Sequence, residues 1–215
     1  AAVWFVDRHI EEGRGANVAF READGLKRSQ TYAELADRSD LVAGAFQSAG
    51  LHREERVACL ILDQLEYPEI FWGALKAGVV PVALNTLLAT SVYQSVLDDS
   101  RAVCLIVSSE LWRMVAPALV ENSDLRKIIV IGEVIDKDVL SYDEFLAHAK
   151  PKKAIFASDD ECAFWLYSSG STGQPKGVRH VHSAMRATAD TYGAQVLGIT
   201  ENDVIFSAAK IFFAY

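Results

Sequence analysis

Hydrophobic positions in the first 150 residues follow two rhythms that take turns. One is helical: Thr31-Tyr-Ala-Glu34 is a capping-box pattern, and Leu35, Val42 and Phe46 share one helical face until Gly50 stops it. The other is a short unbroken apolar run, Val57 to Leu62, whose lack of alternation suits a strand covered on both faces of a parallel sheet. The rhythms then repeat. Glu66 to Ala77 predicts a helix ended by Gly78, Val79 to Leu84 a strand, Thr90 to Asp99 a helix capped by Thr90, and Ala102 to Val107 a strand. Ser109 to Val120, Ile128 to Ile131 and Ser141 to Ala149 continue helix, strand, helix, the last opening on a second capping box, Ser141-Tyr-Asp-Glu144. Strands alternating with crossover helices predict an α/β fold, a mostly parallel sheet flanked by helices with right-handed connections.

The rhythm breaks between Ala149 and Asp160, where Lys150, Pro151, Lys152 and Lys153 precede Ser158-Asp159-Asp160, so this stretch is read as a connector. No repeat of fixed period and no low-complexity tract is present. With 51% hydrophobic and 23% charged residues over 215, the chain can build a substantial core and is neither disordered nor fibrous in composition. A formal charge of -8 argues against a nucleic-acid or anionic-membrane surface, which would need clustered Lys and Arg, so any phosphate must be held locally. Asp7, Arg8, Glu11, Glu12 and Arg14 interrupt the apolar stretch a secretory signal would require, and no segment approaches the ~18 apolar residues of a membrane span. Cys59, Cys104 and Cys162 are odd in number and far apart, and are read as reduced core residues, consistent with a cytoplasmic location.

After the connector, the apolar run Cys162 to Tyr167 leads directly into Ser168-Ser169-Gly170-Ser171-Thr172-Gly173-Gln174-Pro175-Lys176-Gly177. Its glycines allow positive φ and close approach to a ligand, its hydroxyls and free N–H groups can donate to phosphate oxygens, and Lys176 adds a positive charge. Pro175 stiffens the second half. By composition alone this is an ordinary Gly/Ser loop. It is not a nucleotide-kinase loop, which needs Gly before the lysine and Ser or Thr after it, because Pro175 and Gly177 hold those places. Nor does any G-x-G-x-x-G follow a strand.

Over all ten residues the string resembles the phosphate loop of the adenylate-forming superfamily of acyl-CoA synthetases, luciferases and peptide-synthetase adenylation domains. The resemblance extends through Phe164-Trp-Leu-Tyr-Ser-Ser169, Val178 to His182, Phe206 to Tyr215, Leu75-Lys-Ala-Gly-Val-Val-Pro-Val82 and Asn85-Thr-Leu-Leu88, and looks most like benzoate-CoA and 4-hydroxybenzoate-CoA ligases. It implies a two-step reaction on a small aromatic carboxylic acid with ATP, Mg2+ and CoA: an acyl-adenylate forms with release of pyrophosphate, then the CoA thiol displaces AMP. It further implies that Ser168, Ser169, Gly170, Ser171, Thr172, Gly173, Lys176 and Gly177 hold ATP, and that Phe213, Ala214 and Tyr215 line the acyl pocket, small Ala214 leaving room for the ring. Spacing alone reads those aromatics as a buried strand end. Lys210 is either a surface lysine or a charge near the acid.

The resemblance also implies an incomplete N-terminal domain. Residues 1–50 would pack on a second subdomain, 51–200 would form the α/β subdomain with the loop, and 201–215 would begin the next subdomain. No complete catalytic set is expected, because the Thr-Glu motif for Mg2+, the aspartate that grips ribose and the C-terminal lysine would lie beyond Tyr215. The chain alone is therefore expected not to turn over, its partner being the missing C-terminal part of the same enzyme. A ligase for a cinnamate, alicyclic or fatty acid, and a non-catalytic phosphate-binding α/β module, are the alternatives. No metal site is expected: His180 and His182 share one face of an extended segment without a third ligand, and His182 precedes Ser183, read as the N-cap of a helix running to about Leu197.

Overall fold

The computed structural model describes residues 1–23, 28–119, 124–134, 136–169 and 175–213. A π-helical turn (Val3–Asp7) and α1 (Arg8–Glu11) lead into a hairpin of β1 (Val18–Arg21) and β2 (Ser29–Thr31), then α2 (Tyr32–Ser48). The chain next alternates through β3 (Arg56–Leu60), α3 (Glu66–Ala77), β4 (Val80–Ala83), α4 (Thr90–Ser100), β5 (Cys104–Ser108), α5 (Ser109–Val115) and β6 (Lys127–Ile131). It continues with β7 (Leu140–Ser141), α6 (Tyr142–Ala147), β8 (Cys162–Ser169), β9 (Pro175–Val181), α7 (His182–Thr188) and a π-helical stretch, Ala189–Val196. Among the described residues the main sheet has the order β7-β6-β5-β3-β4-β8-β9. Every pairing in it is parallel except that of β8 with β9.

The unbroken apolar strands follow from cover on both faces. Val57, Cys59 and Ile61 pack with Val42 and Phe46 of α2, Ile70 and Ala74 of α3 and Phe145 of α6. Ala58 and Leu60 point the other way, into a cluster with Tyr93 and Leu97 of α4 and Val115 of α5. Neither face is left for polar side chains, which removes the alternation an open sheet would show. No helix among the described residues is long and apolar enough to cross a membrane.

Helices α2 and α3 lie close because Gly73 has no side chain. A Cβ there would sit 2.5 Å from Val42 Cγ1 and 3.0 Å from the Ser39 carbonyl oxygen. Between them the fully buried Lys76 ammonium donates to Asp40 at 2.7 Å and to Asp7 at 2.6 Å, while Lys153 of the connector holds the other Asp40 oxygen at 2.6 Å. Nearby, Glu69 accepts from Gln30 at 2.7 Å, Arg38 at 3.0 Å and Tyr142 at 3.0 Å, tying α3 to β2, α2 and α6.

Both predicted capping boxes form, with Thr31 and Ser141 accepting from the amides of Glu34 and Glu144. Gly78 ends α3 at φ +75°. Two other caps differ from expectation. Thr90 is the first residue of α4 rather than its cap: Ala89 holds the cap position, and the Thr90 hydroxyl donates to the Met114 carbonyl at 3.1 Å. Likewise α7 begins at His182 with Val181 as its cap, and the Ser183 amide donates to the Asp159 carbonyl. The hairpin β1–β2, the two-residue β7 and strand β9 are additions to the elements that the hydrophobic pattern predicts.

Candidate functional site

The Gly/Ser string begins and ends inside a strand pair. In the β8–β9 register Tyr167 opposes Gly177, Ser168 opposes Lys176 and Ser169 opposes Pro175, so residues at both ends of the ten-residue pattern belong to strands. Gly170, Ser171, Thr172 and Gly173 lie outside the described residues, as do Ala214 and Tyr215. The structure thus brings the hydroxyl of Ser168 and the ammonium of Lys176 onto one face of the hairpin, since directly opposed residues share a face. Lys176 is exposed and Ser168 half-buried.

Gly177 does not fit the positive-φ reading, because it lies in β9 and is absent from the glycines of positive φ. What it lacks is used differently: a Cβ there would meet Trp165 Cε3 and Tyr167 Cζ at 3.2 Å each. The glycine leaves room for the two rings that pack against the α4 side.

Strand periodicity turns Phe164, Leu166 and Ser168 to the opposite side from Trp165 and Tyr167. On that side Phe164 and Leu166 border an apolar cavity of about 220 Å³. Tyr67, Pro68, Phe71 and Trp72 of α3, Ala83 of β4, Phe20 of β1, Ile211 and Phe213 complete its wall. Phe213 therefore does face an apolar space, whereas its neighbour Phe212 is buried in the core beside α2 and α3. The segment is anchored at Asp63, just beyond β3, which accepts from the Ile211 amide at 3.0 Å and pairs with Lys210 at 3.0 Å. Lys210 is thus a surface ion-pair partner in this structure.

A second cavity, about 380 Å³, lies at the carboxyl ends of β5 and β6, bordered by Arg28, Gln64, Ser109, Glu110, Gly132 and Asp143. The sheet order reverses beside it, between β3 and β5, the usual place for a ligand crevice in an open α/β sheet. Its charge is wrong for phosphate. Glu66, Glu110 and Asp143 line it, and its Arg28 is already paired with Glu22 at 2.6 Å and Glu66 at 2.8 Å. The β8–β9 root, where the Lys176 ammonium has no ion-pair partner among the described residues and shares its face with the Ser168 hydroxyl, suits an anion better.

The remaining candidates resolve into packing. His180 stacks on Phe164 with centroids 4.6 Å apart, and His182 is buried, which pushes its pKa down. Among the described residues no three His, Cys, Asp or Glu side chains converge as a metal site. Cys59, Cys104 and Cys162 are free thiols, and burial pushes Cys59 up to about 12. Two tertiary links have no local signal in the sequence, the hydrogen bond from Tyr167 to Asp99 and that from the Ile211 amide to Asp63, because each joins positions far apart along the chain.

The model of a family described as AMP-binding enzyme matches residues 7–215. The chain is 42% identical, over its whole length, to the 4-hydroxybenzoate–CoA/benzoate–CoA ligase of Rhodopseudomonas palustris and covers 39% of that protein. It is also 42% identical to the benzoate–CoA ligase of Thauera aromatica, again over 100% of the chain and 40% of the relative. The anthranilate CoA ligase AuaEII, solved in complex with anthranoyl-AMP, superposes with a TM-score of 0.92 at 32% identity, over 99% of this chain and 40% of that one. A benzoate CoA ligase from Burkholderia xenovorans LB400 gives 0.86 at 39% identity, over 100% of this chain and 41% of that one. The chain spans about two-fifths of the length of these relatives.

Proposed function

Because the chain belongs to the AMP-binding enzyme family, we propose that it supplies the ATP-phosphate loop and one wall of the acyl pocket of an AMP-forming aryl-CoA ligase, acting on benzoate, 4-hydroxybenzoate or a close analogue. The observation that carries this reading is the opposition of Ser168 and Lys176 at the loop root, on the side of β8 where Phe164, Leu166 and Phe213 border the apolar cavity. An aryl ring can be buried there while its carboxylate meets the phosphate end. A cavity of roughly 150 Å³ lined by aliphatic and aromatic side chains is enough to take benzene.

In the first step a carboxylate oxygen attacks the α-phosphorus of ATP and the bond to pyrophosphate breaks; in the second, the CoA thiol attacks the acyl carbon and AMP leaves. Lys176 and the hydroxyls of Ser168, Ser169, Ser171 and Thr172 would donate to the β- and γ-phosphate oxygens, and Gly170 and Gly173 would let the backbone approach them. Their work is to orient the triphosphate and to stabilise charge as pyrophosphate departs. Mg2+ would enter with the triphosphate, since it binds through phosphate oxygens and few protein ligands. Ala214 and Tyr215 would continue the pocket wall beyond Phe213. Residues 201–215 would open the next subdomain, and the part of the enzyme beyond this chain would cover Val204, Ile205 and Phe206, now 92%, 70% and 74% exposed.

A pyrophosphate-release assay of the full-length enzyme with ATP and a panel of acids tests this. Benzoate or a hydroxybenzoate is expected to give the highest kcat/KM; release with only fatty or alicyclic acids would overturn the aryl assignment, and release with none would reduce the chain to a phosphate-binding module. The 215-residue chain alone is expected to form neither acyl-AMP nor acyl-CoA.

A further inference from the structure

The hairpin that carries the loop overhangs the sheet. β8 pairs with β4 at Trp165 and Leu166, and beyond that point Tyr167, Ser168 and Ser169 pair with Gly177, Lys176 and Pro175 of β9. A two-stranded ribbon is marginally stable on its own, so the aim of Ser168 and Lys176 depends on what ties the ribbon back to the body. Tyr167 makes that tie. Its hydroxyl donates to Asp99 Oδ2 of α4 at 2.5 Å, with the Val96 carbonyl 3.4 Å away. The other side of its ring rests on the opposed glycine, where a Cβ would come within 3.2 Å of Tyr167 Cζ.

We propose that Tyr167 is a positioning residue for the phosphate loop: pinned to Asp99 and seated on Gly177, it holds Ser168 and Lys176 at the register in which both face the triphosphate. This rests on the reading of the loop given above. Gly177 belongs to the same device, since a Cβ there would stand 3.2 Å from Trp165 Cε3 and Tyr167 Cζ and the ring would have to give by a few tenths of an ångström. Burial, and then the Asp99 carboxylate, push the Tyr167 hydroxyl well above the usual phenol range, so it remains a donor throughout the pH range of an assay.

The test uses the full-length enzyme and two measurements. In hydrogen exchange without ligands, Tyr167→Phe is expected to speed exchange on the order of ten-fold at those amides of Ser168, Ser169, Lys176 and Gly177 that bond across the hairpin, and to leave β3 and β5 unchanged. Unchanged exchange at those amides overturns the proposal. In pyrophosphate release, the same variant is expected to raise KM for ATP about ten-fold, while KM for the acid and thioester formation from preformed acyl-adenylate stay within about two-fold. Asp99→Ala should match it, the double variant should be no worse than either single, and Asp99→Asn, whose amide oxygen still accepts, should recover most of the loss. A loss spread evenly over ATP, acid and CoA, or one that tracks a falling thermal midpoint, marks a purely structural contact and sinks the positioning role. A wild-type enzyme that releases no pyrophosphate with any acid removes the functional reading and this role with it, while the exchange data still report whether the pin exists.

Discussion

Strand β5 is buried from Cys104 to Ser108, whereas Lys176, Gly177, Val178 and Arg179, successive residues of β9, are exposed. One sheet contains both. The interior strands are pressed between α2, α3 and α6 on one side and α4 and α5 on the other, and hold their places through many apolar contacts at once. At the β8–β9 margin the exposed strand β9 has few such contacts, and the hairpin end beyond Leu166 leans on single devices, a phenol on a carboxylate and a glycine under a ring. Local stability falls with the density of buried contacts, and ligand-gripping segments are drawn from the low end. The contrast therefore separates two kinds of substitution, those that remove the fold and those that remove only the grip.

The largest effect is expected in the interior. Lys76→Ala would leave the Asp7 and Asp40 carboxylates facing each other in the space of a fully buried ammonium, with Lys153 alone among the described residues paired to either. Breaking a buried pair by removing one partner costs about 3–5 kcal/mol. Urea unfolding of the enzyme should show a loss of that size; a loss below about 1 kcal/mol would mean that the cluster is solvated and that the interior is less exacting than its burial implies.

At the margin the signs reverse. Lys176→Ala is expected to lower kcat/KM for ATP on the order of 10²-fold, by analogy with removal of one preorganised donor to a developing anion. Because Lys176 is exposed, the urea midpoint should stay within experimental error of wild type. A midpoint that fell with activity would erase the distinction between the two regions.

How much could be read in advance follows the same division. The capping boxes of Thr31 and Ser141 were legible because each needs only a carboxylate three residues on, and Gly50 and Gly78 because their positive φ is a local demand. Thr90 misled because its hydroxyl found a tertiary acceptor, the Met114 carbonyl, which no local pattern encodes. The strand from Pro175 to Val181 was hidden by Pro175 and Gly177, residues that ordinarily weaken a strand and here oppose Ser169 and Tyr167 across the hairpin. The loop was recognisable by its residue types, but the pin that aims it joins positions 68 apart and leaves no periodic trace. The apolar cavity gathers β1, α3, β4, β8 and the segment after Lys210, so only its Phe213 edge could be proposed from sequence.

A subtler break of the interior is Gly73→Ala. The added methyl would gain ~1 kcal/mol of helix propensity in α3 but would collide with Val42 and approach the Ser39 carbonyl, and overpacking of this kind costs about 1–3 kcal/mol. The collision should win by ~1 kcal/mol, because the obstructing atoms belong to a β-branched side chain and a helix backbone with little freedom to yield. Adding Val42→Ala should restore part of the loss, an interaction that a double-mutant cycle of urea midpoints would register; strict additivity would mean that the helices simply move apart.

The smallest effect concerns a charge inside the well-packed region. Burial raises the Glu69 carboxyl above its ordinary range, with Arg38 pulling in the opposite direction. A carboxyl whose pKa is higher folded than unfolded binds its proton more tightly in the folded state, so its contribution is full below the unfolded value, about 4.3, and is lost as pH rises through the raised folded value. Glu69→Gln removes that titration while keeping a side chain of nearly the same size against Gln30, Arg38 and Tyr142. Whatever its offset from lost pairing with Arg38, the stability difference between variant and wild type should shift toward the variant as pH rises from the unfolded value through the raised folded one. Urea midpoints of both proteins across that interval measure it. A flat difference would show that Arg38 and the surrounding donors compensate the burial fully, and a shift toward wild type would mean that they outweigh it and that the interior pair is a net stabiliser.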